Sequence, residues 1–248
     1  MKKPQPFLLF LAIFASTLTV AERPVQATPR PTITLPQTLS LNFVVPRRGA
    51  PTSTAGGATR GSCKVGTPVI APILPQGRLG LTLAERPSFF VYIPPGSAET
   101  ANFLLQTDGD REIVYESDIK IPAASGIVRF DLPADAPALE VGKQYHWFIT
   151  LKCNPIAGTS GNPGVDGWVE RIAPDATLAR QLQNATPKSL PALYAGAGIW
   201  HEALSSLVTL RQQAPDNAQL LNDWQSLLKS VGLDSLTNEP LVKQSASK

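Results

Sequence analysis

From Leu79 to Ile172 the chain is a succession of short apolar stretches, each cut by glycine, proline or a turn-forming pair. Stretches this short do not build long amphipathic helices; they predict β-strands joined by tight connections. Leu79, Leu81 and Leu83 alternate with Gly80 and Thr82, and Ser88 to Ile93 is a β-forming run ended by Pro94, Pro95 and Gly96. Ala101 to Thr107 and Arg111 to Ser117 flank Asp108-Gly109, a pair suited to a hairpin because glycine takes positive φ at little cost. Ile119 to Ile121 stops at Pro122, Gly126 to Leu132 stops at Pro133, and Tyr145 to Cys153 and Val165 to Ile172 complete the set. So many strands at short spacing predict a mainly β fold, an antiparallel sandwich or barrel.

One local pattern favours the sandwich. Leu139 and Gly142 precede Tyr145, which opens a strand whose alternate positions Tyr145, Trp147, Ile149 and Leu151 are apolar. This resembles the tyrosine corner of immunoglobulin-like and fibronectin-type sandwiches, in which the ring packs inward and the hydroxyl bonds the preceding connection. An antiparallel immunoglobulin-like β-sandwich is therefore expected over residues 64–172. Cys153 shares the inward register at the far end of the same strand.

The flanks differ. Lys2 and Lys3 precede the apolar run Phe7 to Phe14, which fades into small residues, the order of a secretory signal over residues 1–27. The run is shorter than the roughly 18–20 apolar residues that span a bilayer. Cleavage after Ala21 or after Ala27 fits, with Val25 and Ala27 favouring the second. Such a signal predicts a periplasmic or extracellular protein with no membrane span after cleavage. The whole chain has 22 basic and 19 acidic residues; losing Lys2, Lys3, Arg23 and Glu22 leaves 19 and 18. That balance has no field to hold a polyanion, which excludes nucleic acid as the expected partner. Cys63 and Cys153 are the only cysteines. In an oxidising compartment a lone pair is most simply a disulfide, worth up to ~4.5 kcal/mol for so long a loop. The alternatives are two free thiols or half of a metal site. Residues 28–63 read as an extended Pro/Gly-rich arm, with Leu41, Phe43 and Val45 spaced for one edge strand.

After Pro174, taken as a first-turn proline, Asp175 to Asn184 predicts a helix. Apolar residues then recur at helical spacing from Leu190 to Leu210 and, beyond Pro215, from Leu220 to Val231. The helical extension spans 174–233, and 234–248 reads as a flexible tail. Tyr194, Gly198, Ala203, Leu207 and Pro215 stand at spacings that resemble one tetratricopeptide unit, although Leu210 stands where a small residue is usual. One helical pair cannot bury its own apolar face, so it is expected to pack on the β domain.

Longer stretches match a family. They are Val45 to Gly49, Gly56 to Cys63, Pro87 to Pro94, Gly126 to Val128, Tyr145 to Phe148, Cys153 to Pro155 and Gly167 to Arg171. Together they resemble an exported, mostly cyanobacterial family catalogued as domain of unknown function 928. The resemblance implies export and two paired cysteines, and it brings no activity with it.

Catalytic signals are sparse. No Gly-x-Ser-x-Gly elbow occurs, Thr159-Ser160-Gly161 reads as a turn, and Gly56 to Gly61 lacks the end of a phosphate loop. Asp108, Asp110 and Glu112 fall short of a calcium loop. No cofactor or metal is expected. His146 alternates with Tyr145 and Trp147 and so belongs to the opposite face, expected to be the more exposed. His201, beside Glu202 on a helix, is expected to face solvent. Asp166, Trp168 and Glu170 share one strand face, where a tryptophan would stack on a sugar and two carboxylates would serve glycoside hydrolysis. Arg47, Arg48 and Arg60 form a local basic cluster suited to an acidic polysaccharide. Two functions follow: a non-catalytic envelope module that binds a protein or glycan, favoured because no catalytic set is visible, or an envelope hydrolase built on carboxylates or His146.

Overall fold

The computed structural model describes residues 40–50, 70–77, 79–96, 98–109, 112–153 and 162–242. The segment read as a signal, together with Arg60, Cys63 and the Thr159-Ser160-Gly161 turn, lies outside the described residues. In chain order the strands are β1 (Ala71–Pro72), β2 (Leu79–Thr82), β3 (Ser88–Ile93), β4 (Thr100–Thr107) and β5 (Ile113–Lys120). β6 (Gly126–Asp131), β7 (Gln144–Leu151) and β8 (Gly164–Arg171) follow. Then come α1 (Ala176–Gln183), α2 (Leu190–Gly196), α3 (Trp200–Gln213) and α4 (Ala218–Ser230), a 3-10 turn at Asp234–Leu236, and β9 (Leu241–Val242).

Among the described residues these strands form two sheets, ordered β1-β3-β6-β9 and β2-β8-β7-β4-β5. With β3 and β6 in one sheet and β4, β7 and β8 in the other, the order is that of an immunoglobulin-like sandwich. The sheets are antiparallel except at two edges, where β2 runs parallel to β8 and β9 parallel to β6. Phe89 of β3 bridges the layers, its ring 5.2 Å from Phe103 and 5.4 Å from Trp147. Tyr145 forms the expected corner: its ring is buried and its hydroxyl oxygen accepts the Glu140 N–H at 3.0 Å. Gly109 (φ 80°) turns the β4–β5 hairpin, which Thr107 N–H to Glu112 O closes at 2.9 Å.

Several expectations give way. The Ile113–Lys120 stretch is one strand rather than two, because nothing after Ser117 interrupts its pairing with β4. Leu41 and Phe43 do not form an edge strand. Both are buried, Phe43 edge-on to Trp200 at 5.0 Å, while Val44 N–H bonds Ala195 O at 3.0 Å. The cap of α1 is Asp175, whose carboxylate accepts from Thr177 and Leu178 N–H, so Pro174 stands before the cap rather than inside the first turn. The helical pattern from Leu190 to Leu210 breaks into α2 and α3 at Gly198 (φ 73°), a left-handed position that a side chain would strain. The segment read as a flexible tail is folded as far as residue 242: Ile127 N–H bonds Pro240 O at 2.8 Å and β9 extends the smaller sheet.

The helices pack on the sandwich. Leu204, Leu207, Trp224, Leu227 and Leu228 join the same apolar cluster as Phe89, Leu105 and Trp147, so one continuous core serves both parts. The N-terminal turn of α3 makes the junction. Trp200 Nε1 donates to Ile73 O at 2.8 Å, and Glu202 Oε1 accepts from Thr82 Oγ1, Leu83 N–H and Ala84 N–H at 2.6, 3.1 and 3.0 Å.

Candidate functional site

Three places carry polar chemistry or open space: the outer face of β7–β8, the junction under α3, and a cavity at one end of the sandwich.

Pairing across β7–β8 places His146 beside Trp168, Phe148 beside Asp166, and Gln144 beside Glu170, all on the face turned away from the sandwich core. The alternation read from the sequence is therefore observed, and five of the seven singled-out residues meet here. The expected exposure is not. His146 and Trp168 are 0% exposed, Asp166 3% and Glu170 4%. His146 Nε2 donates to Asp166 Oδ2 at 2.9 Å, and its ring stacks on Trp168 with centroids 4.2 Å apart and planes 10° from parallel. The Phe148 ring lies 4.0 Å from the imidazole, tilted by 46°. Glu170 is held by Arg48 and by Gln144 Nε2, the latter at 2.9 Å. Ala50 packs against the small cluster of Leu79, Leu81 and Trp168. The arm thus lies over this face at β2 and β8, and its arginine neutralises a carboxylate that burial alone would penalise. Arg47 is exposed beside it. Asp166 is enclosed by protein, and neither it nor His146 lines any of the three cavities described below, whereas Glu170, tied to Arg48 and Gln144, borders the smallest of them.

At the second place, His201 is buried instead of facing solvent. Its Nδ1 donates to Ser88 O at 2.8 Å, which leaves Nε2 a bare lone pair with no partner among the described residues. A side chain on Gly80 would place its Cβ 2.5 Å from that nitrogen, so only glycine lets β2 approach so closely. Burial pushes the His201 pKa down to about 4, with the Ser88 hydrogen bond opposing. Burial also raises the Glu202 carboxyl, against the donors of the 82–84 turn. Both are joints between helix and sheet.

The third place is open. A cavity of about 680 Å³ lies where β3, β5 and β7 end and β4 begins, lined by Ile93, Pro94, Ala98, Ile121, Pro122 and Lys152, among others. Its walls are the connections β3–β4 and β5–β6 and the start of β7–β8. Ile121 N–H to Glu99 O and Lys152 N–H to Thr100 O, both 2.9 Å, tie those connections together. Lys152 Nζ reaches Asp118 Oδ2 at 2.5 Å, and Glu99 on the lining is exposed. Cys153 sits on the rim, and no described cysteine is free. Smaller cavities of about 510 and 440 Å³ lie between α1 and α2 and at the opposite end, beside Gln144 and Glu170. None of the residues singled out from the sequence, Cys153 apart, lines the large cavity. The available signal was the set of prolines that stop β3 and β5.

Among the described residues no helix is long and apolar enough to cross a membrane, and no cluster of metal-ligating side chains is found. No curated protein matches the chain. Of solved structures, the CARDB domain of the PF1109 protein from Pyrococcus furiosus, in complex with di-metal ions, is similar at 11% identity. The match covers 42% of this chain and 90% of that one, with a TM-score of 0.25, too low to carry an argument. A family model described as Domain of Unknown Function (DUF928) matches residues 55–241, most of the length, and the chain belongs to that family.

Proposed function

We propose that this is an exported, non-catalytic envelope protein whose sandwich binds a protein or glycan at the loop end. The observation that carries the reading is the cavity of about 680 Å³ between three strand connections. Its size falls within the roughly 300–1,000 Å³ of ligand sites, and variable immunoglobulin domains place their binding loops at one end of the same architecture. Apolar walls with Glu99 and Lys152 near the mouth suit a ligand with an apolar body and polar fringe. Export would bring Cys63 and Cys153 into an oxidising compartment, where their bond would pin the arm beside this end.

The test is co-sedimentation of the mature chain (28–248) with outer membrane, peptidoglycan and exopolysaccharide fractions. Saturable binding to one fraction, abolished by Ala123→Trp at the exposed mouth, supports the reading. Binding to none, or binding that Ala123→Trp leaves intact, sinks it. A hydrolase built on His146 has the His146–Asp166 hydrogen bond in its favour and the burial of both residues against it.

A further inference from the structure

We infer that the loop-end cavity takes a protein partner through a lysine or arginine side chain set among aliphatic ones, with the Glu99 carboxylate as its counter-charge. This rests on the reading of that cavity as the binding site and adds what enters it. Register fixes which charges meet the ligand. Thr100 stands opposite Lys120, and Ala101 stands opposite Ile119 on one side and Leu151 on the other. One step further, Glu99 stands opposite Ile121, whose N–H its carbonyl accepts at 2.9 Å. Glu99 therefore continues the core-side row of Phe103 and Ala101 out to the cavity, whose lining includes it. Lys120 belongs with Thr100 to the opposite, outer face. Lys152, whose N–H donates to Thr100 O at 2.9 Å, shares that outer face, and its ammonium is taken by Asp118 at 2.5 Å. The bond holds the Asp118 carboxyl below its ordinary range, and the two charges cancel. Glu99 is exposed, and its carboxylate has no hydrogen-bond or ion-pair partner among the described residues. The one uncompensated charge on the described lining is thus negative.

The rest of the lining decides between protein and glycan. Ile93, Pro94, Ala98, Ile121 and Pro122 form aliphatic walls, and no aromatic ring is among the described lining residues. A sugar ring needs a flat apolar face beneath its C–H bonds and several partners for its hydroxyls. Thr100 supplies the one neutral hydroxyl on the described lining, so most sugar hydroxyls would leave water without replacement. An acidic polysaccharide would in addition meet Glu99 with like charge. A lysine or arginine satisfies both parts of the site. Its methylene stem packs on apolar surface while its charged head stays in water at the rim, within reach of Glu99.

The probes are acetylated, amidated tripeptides of sequence Leu-Lys-Leu, Leu-Gln-Leu and Leu-Glu-Leu, and a uronic acid oligosaccharide. Each is titrated into the full mature chain at low salt, with the amide resonances across residues 93–100, 121–123 and 152 as the readout. The lysine peptide should move those resonances and bind at least about threefold more tightly than the glutamate peptide, the share of one exposed ion pair. Glu99→Gln, at an exposed position, should erase that preference and Glu99→Lys should reverse it, with binding of the glutamine peptide unchanged. Equal binding of all the peptides, or a preference that survives Glu99→Gln, overturns the inference and leaves the cavity as the site. Binding of the oligosaccharide in place of the peptides does the same. Shifts confined to other residues, or none with any probe, sink the inference together with the cavity reading.

Discussion

Replacing His201 by asparagine should remove a defined part of the acid sensitivity of the fold. The imidazole is buried, gives its Nδ1 proton to Ser88 O and leaves Nε2 unpaired against Gly80. A second proton would have no acceptor, and burial sets the folded pKa at about 4 against 6.5 for the free side chain. Between those values the unfolded chain binds the proton more tightly. The histidine's contribution is therefore complete above pH 6.5 and is lost as pH falls toward 4. Linkage gives a loss of about 2 kcal/mol by pH 5 and about 3 kcal/mol by pH 4. The carboxamide introduced by His201→Asn can still donate to the Ser88 carbonyl but does not titrate. It gives up ring packing against Phe89, 5.5 Å between centroids, at a pH-independent cost of about 1–2 kcal/mol. Urea unfolding of both proteins from pH 7.5 to 4 measures the difference, in which His146 and the carboxylates cancel. The curves should converge by about 2 kcal/mol between pH 7 and 5. Parallel curves would refute the burial of an unprotonated His201.

Glu202 tests the same joint. Its folded pKa is raised by burial, so its contribution improves as pH falls through that value, the opposite sense to His201. Glu202→Gln keeps an acceptor for the 82–84 turn and should match or exceed the parent at pH 7. Glu202→Ala should cost about 3 kcal/mol in chemical denaturation because it strips three donors of one partner. Tyr145→Phe keeps the packed ring and loses the bond to Glu140 N–H, for about 1 kcal/mol; no change would leave the corner without energetic meaning. For the cysteines, a thiol assay on the unreduced, denatured mature protein should find none free, and reduction should lower Tm. Titratable thiols there would remove the bond from the account.

The joint under α3 and the continuous core tie the helices to the β domain. Because α3 enters between β2 and β3 and shares the core of the sandwich, the helices support the β domain and its edge β2. No residue of α3 lines the loop-end cavity. The cavity and the joint can accordingly be varied separately, by Ala123→Trp on one side and by His201→Asn or Glu202→Ala on the other.

Much of the sandwich was legible because its signals are local. Alternation, the Asp108-Gly109 turn, the prolines that stop strands and the Leu139–Gly142–Tyr145 spacing act over a few residues, and Ser88–Ile93 emerged with the same bounds in the structure. The alternation of His146 with Trp147, and of Asp166, Trp168 and Glu170 with Val165 and Val169, correctly divided two faces of a sheet. It could not say that both faces would be buried, since period two states only that neighbours point apart, whereas burial depends on what arrives from elsewhere in the chain. Here Arg48 and Ala50 arrive from well over a hundred residues upstream of Glu170 and Trp168. His201 was misplaced for the same reason: a polar residue at a helix start reads as solvated until a glycine 121 positions earlier, the difference between 201 and 80, makes room for it. Leu241–Val242, too short to register as a strand, became one because the edge of β6 supplied the hydrogen bonds. By itself the sequence determined the main strands between Ser88 and Arg171, the helical character of the stretch after Pro174 and most of the turns between them, since those follow from neighbours in the chain. The tertiary structure alone decided which polar groups are enclosed and where the cavity lies, because desolvation is settled by contacts between distant segments.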